Sequence, residues 1–188
     1  SECDITDIEK PFAEANVETK AQIGTKLDIK AKSAILLEPY TGKILYEQNA
    51  DEALPPASVT KVMTLLLVME AIEKENITLG QMLTTSDNAA SMGGSQIFLE
   101  VGEQMSVEDL LKSVIISSAN DAAVVLAEAI AGSEESFVAM MNSRAAELGM
   151  KNTHFENTNG LDDTVTNHVT SARDIAIMSR ELIAHEKI

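Results

Sequence analysis

Ser58-Val59-Thr60-Lys61 is the sharpest chemical signal in the sequence. On a helix, residues i and i+3 share a face about one turn apart, so this spacing brings the Lys61 amine towards the Ser58 hydroxyl. Serine is a poor nucleophile without a base. A lysine neutralised by desolvation serves as that base without histidine. The start of a helix also favours negative charge developing at Ser58. The pattern S-x-x-K is common by itself, because any capped helix with Lys in its first turn matches it. Here it follows Pro55-Pro56-Ala57 and opens a strongly apolar run, where an unpaired lysine is costly.

The second signal is Ser118-Ala119-Asn120, on a short joint between two expected helices. A hydroxyl and an amide that face a cleft together can donate to a carbonyl and accept from an amine. Asn120 also suits a plainer role, as the N-cap of the helix that begins with Asp121-Ala122-Ala123. The three histidines, His154, His168 and His185, have no motif partner and are read as solvated or structural. There is no G-x-S-x-G elbow, since Gly93-Gly94-Ser95-Gln96-Ile97 fails at its last position, and no phosphate loop or metal-ligand spacing. No metal and no cofactor are expected.

The elements that position these residues follow from local patterns. Residues 32–38 and 43–48 read as two strands joined by Pro39-Tyr40-Thr41-Gly42, a β-hairpin. Residues 59–74 form a helix that is hydrophobic all round and therefore central, with Ser58 placed to cap it. Ser106-Val107-Glu108-Asp109 is a capping-box variant that opens a helix to about Ile116. Further helices are expected over 121–131, ended by Gly132, and from Ser133 to Leu148, ended by Gly149. The last opens at Ser171-Ala172-Arg173-Asp174 and reaches the end of the chain, after a polar loop over 151–167 that carries the turn signal Asn159-Gly160. Residues 1–28 read as a polar lead-in with a short helix carrying Ile8, Phe12 and Ala15, and residues 29–188 as the structured part. A lone hairpin is marginal in water. Helices must cover it, or further strands must pair with it.

Composition narrows the function classes. The chain has 188 residues, 14 basic against 30 acidic, and a formal charge of −16. That balance, with 3% aromatic residues, excludes phosphate-backbone and base-stacking recognition of nucleic acid and disfavours anionic membrane surfaces. At 45% hydrophobic residues the chain is globular rather than a disordered acidic tail. One cysteine, Cys3, excludes an intrachain disulfide framework. Apolar runs such as that over 65–69 are far shorter than a membrane span.

With Ser58-x-x-Lys61 and Ser118-x-Asn120 in this order, the sequence resembles the low-molecular-mass penicillin-binding proteins, and within them the serine-type D-alanyl-D-alanine carboxypeptidases. The likeness extends to EPYTGKILYEQN at 38–49, PASVTKVMT at 56–64, GGSQIFLEVG at 93–102, SANDA at 118–122, NTHF at 152–155, NGL at 159–161 and SARD at 171–174. Ser86-Asp87-Asn88 spells a motif that accompanies S-x-x-K in these enzymes, but it falls in an expected exposed loop, and Ser118 is preferred.

The resemblance implies an α/β (α+β) fold of the β-lactamase/transpeptidase type, with the site between a helical region and an antiparallel sheet. It implies Ser58 as nucleophile, Lys61 as general base, Ser118 as proton relay and Asn120 as a substrate-binding residue that also holds Lys61. It implies as partners a peptidoglycan stem peptide ending in D-Ala-D-Ala and the β-lactam antibiotics, on the cell-wall side of the cytoplasmic membrane. The K-T-G motif that completes such sites does not occur in the chain. The expectation is therefore an N-terminal part of the domain, weakly active or inactive alone, whose hairpin pairs with strands of the remainder. Two alternatives remain open at this level: a serine β-lactamase using Glu156 to drive water, and a non-catalytic wall-peptide-binding module.

Overall fold

A computed structural model describes residue 27 and residues 29–185. The expected helix at Ile8, Phe12 and Ala15, and Cys3, lie outside the described residues. Strands β1 (Ala34–Leu37) and β2 (Ile44–Gln48) form the expected hairpin, antiparallel with Ala34 opposite Gln48 and an irregularity at Leu36–Leu37. Its turn is built as the residue types require. The Glu38 carboxylate accepts from the Tyr40 and Thr41 amides and the Thr41 hydroxyl, and Gly42 takes φ +71°.

Helix α1 (Lys61–Glu73) is the central element. Met63, Leu66 and Val68 are fully buried, and α1 packs against α4 (Asn120–Ala131), α5 (Glu134–Glu147) and α6 (Ala172–Ile183). Burying each such side chain contributes about 1.5–3 kcal/mol. The hairpin is covered on one side by α6, whose Arg180 donates to the Pro39 and Tyr40 carbonyls at 2.7 Å. Arg173 ties the same helix to Glu47 on β2 and to Asp51. Helix cover thus answers part of the problem of the lone hairpin; among the described residues β1 and β2 still form a sheet of two strands.

Between α1 and α3 (Val107–Ser117) lies a second small sheet that the sequence reading missed: β3 (Met82–Thr84) pairs with β4 (Gln104–Ser106), around the one-turn helix α2 (Asp87–Ala90). Three-residue strands carry too little alternation to register as a pattern. Serines at the expected caps behave as such. Ser106, Ser133 and Ser171 accept from the amides of Asp109, Ser136 and Asp174. Ser86 does the same for Ala89, so the decoy Ser86-Asp87-Asn88 is a helix start rather than a loop. Helix α6 ends at Ile183, with Ala184 as its C-cap, short of the expected end.

Candidate active site

Ser58 departs from the capping pattern. Residues 57–60 form a 3₁₀ turn that runs directly into α1, and no side chain caps either element. Ser58 was expected as the cap of α1, but it lies inside this turn, so its hydroxyl is not consumed by a backbone amide. Ala57, just before it, has φ +47°, a strained conformation for a residue with a Cβ. Ser58 is exposed and Lys61, one turn on, is 3% exposed overall. Lys61 Nζ lies 3.4 Å from Ser58 Oγ, a long contact of the kind that tightens when substrate binds.

Lys61 has no carboxylate against it among the described residues; its other bond goes to the Asn159 carbonyl at 2.9 Å. Burial alone pushes its pKa down to about 8. A substantial fraction of the amine is therefore neutral near physiological pH and able to take a proton from Ser58.

The loop over 153–170 grips this corner. Thr64 donates to the Thr158 carbonyl at 2.6 Å, and Glu134 holds the Thr158 amide and hydroxyl at 3.2 and 2.8 Å. Gly160 takes φ +85°, and a Cβ there would overlap the Ala57 carbonyl and stand 3.0 Å from Thr60 Oγ1. Only glycine allows this approach. Leu54 and Thr170 exchange backbone bonds of 2.8 and 2.9 Å, closing the entry to the turn. His168 is buried and structural, with Nε2 2.6 Å from Thr60 Oγ1 and Nδ1 accepting from the Glu156 amide. His154 is exposed and His185 meets Glu73.

The joint between α3 and α4 holds the other two residues. Ser118 ends α3 in the left-handed conformation, φ +53°, and is half-buried. Asn120 is the first residue of α4 and not its cap; Ala119 holds that position. The Asn120 amide nitrogen donates to the Gly93 carbonyl at 2.8 Å, and its buried Oδ1 has no partner among the described residues. Asn120 forms no bond to Lys61, whose bonds run to Ser58 and Asn159. The two halves approach each other across Gly94: a Cβ on Gly94 would stand 2.9 Å from Asn120 Nδ2 and 3.1 Å from Leu161 Cδ2. Asp121 fixes this arrangement. Its buried carboxylate accepts from the amides of Ile97, Leu99 and Ala122 at 2.9–3.2 Å. Asn159, Gly160, His168 and Asp121 were not singled out as site residues from the sequence, although the turn signal Asn159-Gly160 marked the right place.

A hydroxyl beside a desolvated lysine with no carboxylate against it among the described residues, and a buried amide across a glycine, is suited to acyl transfer. Solved structures place the fold in the penicillin-binding, transpeptidase-like class. Penicillin binding protein 6B from Escherichia coli aligns with a TM-score of 0.81 at 39% identity, over 86% of this chain and 52% of that one. An ampicillin-bound penicillin-binding protein from Listeria monocytogenes aligns with a TM-score of 0.76 at 31% identity, over 87% and 65%. The family described as D-alanyl-D-alanine carboxypeptidase matches residues 17–188, and the chain belongs to it. The carboxypeptidase DacF of Bacillus subtilis is 54% identical over 164 residues, which is 87% of this chain and 42% of that protein. The chain thus spans about two fifths of the length of the curated relatives it matches. The expected fold class is the observed one, a mixed α/β scaffold with short sheets.

Proposed function

We propose that this chain carries the nucleophile half of a serine-type D-Ala-D-Ala carboxypeptidase. The observation that carries the reading is Lys61, buried, without a carboxylate partner among the described residues, 3.4 Å from the Ser58 hydroxyl. Neutral Lys61 takes the Ser58 proton as Oγ attacks the carbonyl carbon between the two terminal D-alanines of a stem peptide. The Ser58 amide, at the head of the helical turn, donates to the oxyanion. The C–N bond then breaks, the leaving D-alanine amine receives a proton relayed through Ser118, and an ester remains on Ser58. Water adds to that ester, releasing the shortened peptide and returning the serine proton. The Asn120 side chain, whose Oδ1 has no partner among the described residues, is the group that meets a substrate amide. A β-lactam enters the same path and stays as a slowly hydrolysed acyl-enzyme. The compartment that fits this substrate is the cell-wall side of the cytoplasmic membrane. No helix among the described residues is long and apolar enough to cross a membrane.

The β-lactamase alternative needs a carboxylate free to activate water. Glu156 is instead engaged by the amides of Asn167 and Thr166 at 3.1 and 2.7 Å, which hold its pKa below the usual range. The deciding experiment is intact-mass spectrometry of the whole protein before and after incubation with benzylpenicillin. One adduct mapping to Ser58, absent from Ser58→Ala, supports the acyl-enzyme, and D-alanine release from a stem peptide separates carboxypeptidase from antibiotic hydrolysis. A folded whole protein that takes up no adduct overturns the proposal.

A further inference from the structure

The geometry points to His168 as a positioning residue for the Ser58 turn, acting through the Thr60 hydroxyl. This assignment rests on the acyl-transfer reading of Ser58. His168 and Thr60 are 108 residues apart in sequence, both buried, and joined by the 2.6 Å contact between Nε2 and Oγ1. The other ring nitrogen fixes the direction of that bond. A backbone amide can only donate, so the Glu156 N–H at 2.8 Å requires a bare Nδ1. The proton therefore sits on Nε2 and is donated to Thr60. Phe155, with its ring centroid 5.8 Å away and tilted by 58°, packs beside the imidazole.

Thr60 is the residue through which this restraint reaches the chemistry. It closes the 3₁₀ turn, two residues after Ser58 and next to Lys61. The turn is strained at Ala57, and Ser58 itself contributes no capping bond to hold it. Its own backbone bonds, such as Val59 N–H to the Pro56 carbonyl at 3.1 Å, are flanked by outside groups, with Gly160 against Ala57 and His168 bonded to Thr60. The Ser58–Lys61 separation is already at the long end for proton transfer, so a shift well under 1 Å breaks it. Misplacement of about 1 Å costs on the order of a hundredfold in rate. His168 makes no hydrogen bond to Ser58 or Lys61, and its bond on this side runs to Thr60.

Two conservative replacements separate positioning from loop maintenance. In His168→Gln the amide nitrogen takes the place of Nε2 and keeps the donor to Thr60. In His168→Asn the amide oxygen takes the place of Nδ1 and keeps the acceptor for Glu156, while the donor to Thr60 is lost. The experiment measures benzylpenicillin acylation of the whole protein by intact mass, resolved into a binding constant and a first-order acylation constant. His168→Asn and Thr60→Val are each expected to lower the acylation constant roughly ten- to a hundredfold with binding changed less than about threefold. The double variant should be no slower than either single one, and His168→Gln should stay within about threefold of wild type. Equal losses in the Asn and Gln variants, a wild-type rate in His168→Asn, or additive losses in the double variant each overturn the assignment. Should His168→Asn fail to fold, the near-isosteric Thr60→Val carries the same comparison with wild type.

Amide hydrogen exchange over residues 57–61 gives a readout independent of acylation. Faster exchange in His168→Asn and Thr60→Val, but not in His168→Gln, is the expected pattern. An unchanged pattern overturns the role of His168. A wild-type protein that shows the expected exchange pattern among its variants but takes no adduct overturns the acyl-transfer reading instead.

Discussion

The carbonyl oxygen of Asn159 lies 2.9 Å from Lys61 Nζ, across 98 residues of sequence. A carbonyl accepts one N–H of an amine whether the lysine is charged or neutral, so this bond orients Lys61 without fixing its charge. A carboxylate in the same place would hold the ammonium charged and spoil it as a base. The chain meets a buried lysine with a neutral acceptor, and its lowered pKa follows from desolvation left uncompensated.

Acylation by a penicillin should rise with pH through about 8, because the reactive form is the neutral amine. The check is the first-order acylation constant measured from pH 6 to 9.5. A flat profile across this range would sink Lys61 as the base.

The same group sets a stability trend of definite sign. The pKa of Lys61 is about 8 when folded and 10.5 as its ordinary value, so between the two the unfolded chain binds more protons. The penalty for burying the charged amine is full below pH 8, shrinks between pH 8 and 10.5, and vanishes above. Urea midpoints at pH 7.5 and 9.5, compared with Lys61→Met, should show wild type gaining on the variant as pH rises. The opposite trend would contradict a desolvated Lys61.

Gly160→Ala should be severe. Its φ of +85° disfavours any side chain, and the new Cβ would overlap the Ala57 carbonyl at the nucleophile turn. A loss of at least about 2 kcal/mol by denaturant unfolding is expected, with loss of Ser58 acylation. Gly132→Ala, where φ is +83° and nothing lies within 4 Å, is the control: it shares the backbone strain but lacks the overlap, so it should cost less and leave acylation intact.

Asp121→Asn should loosen the wall that carries Asn120. The Asp121 carboxylate accepts from Ile97, Leu99 and Ala122, and an amide offers only one oxygen to those three donors. A cost of about 1–3 kcal/mol is expected, read by thermal melting, with hydrogen exchange accelerated over residues 95–99. Exchange confined elsewhere would show that Asp121 does not hold this segment.

What the sequence disclosed depended on how far apart the partners lie. The Ser58–Lys61 pair, the caps at Ser106, Ser133 and Ser171, and the apolar α1 are local patterns, and each occurs where its pattern indicated. Ser58 does not cap α1; Ala57 takes a left-handed conformation beside Gly160 and Ser58 lies inside a 3₁₀ turn, which nothing local shows. Asn120 looked like a cap, but its amide is drawn to Gly93, 27 residues upstream. The sequence reads His168 as solvated or structural; its buried partner Thr60 stands far outside any window a pattern can span. The short strands β3 and β4 are set by pairing rather than by composition.

The grip of residues 154–170 on the Ser58 turn also has a consequence for timing. Helix α1 and its S-x-x-K sequence leave the ribosome long before Thr158, Asn159, Gly160 and His168, each of which is needed to shape or hold the pair. Contacts of such high sequence separation require closure of a long loop, whose entropic cost they must offset. The Ser58–Lys61 pair is therefore complete only when the 154–170 segment has docked, and its reactivity reports a finished corner of the molecule rather than a lone helix.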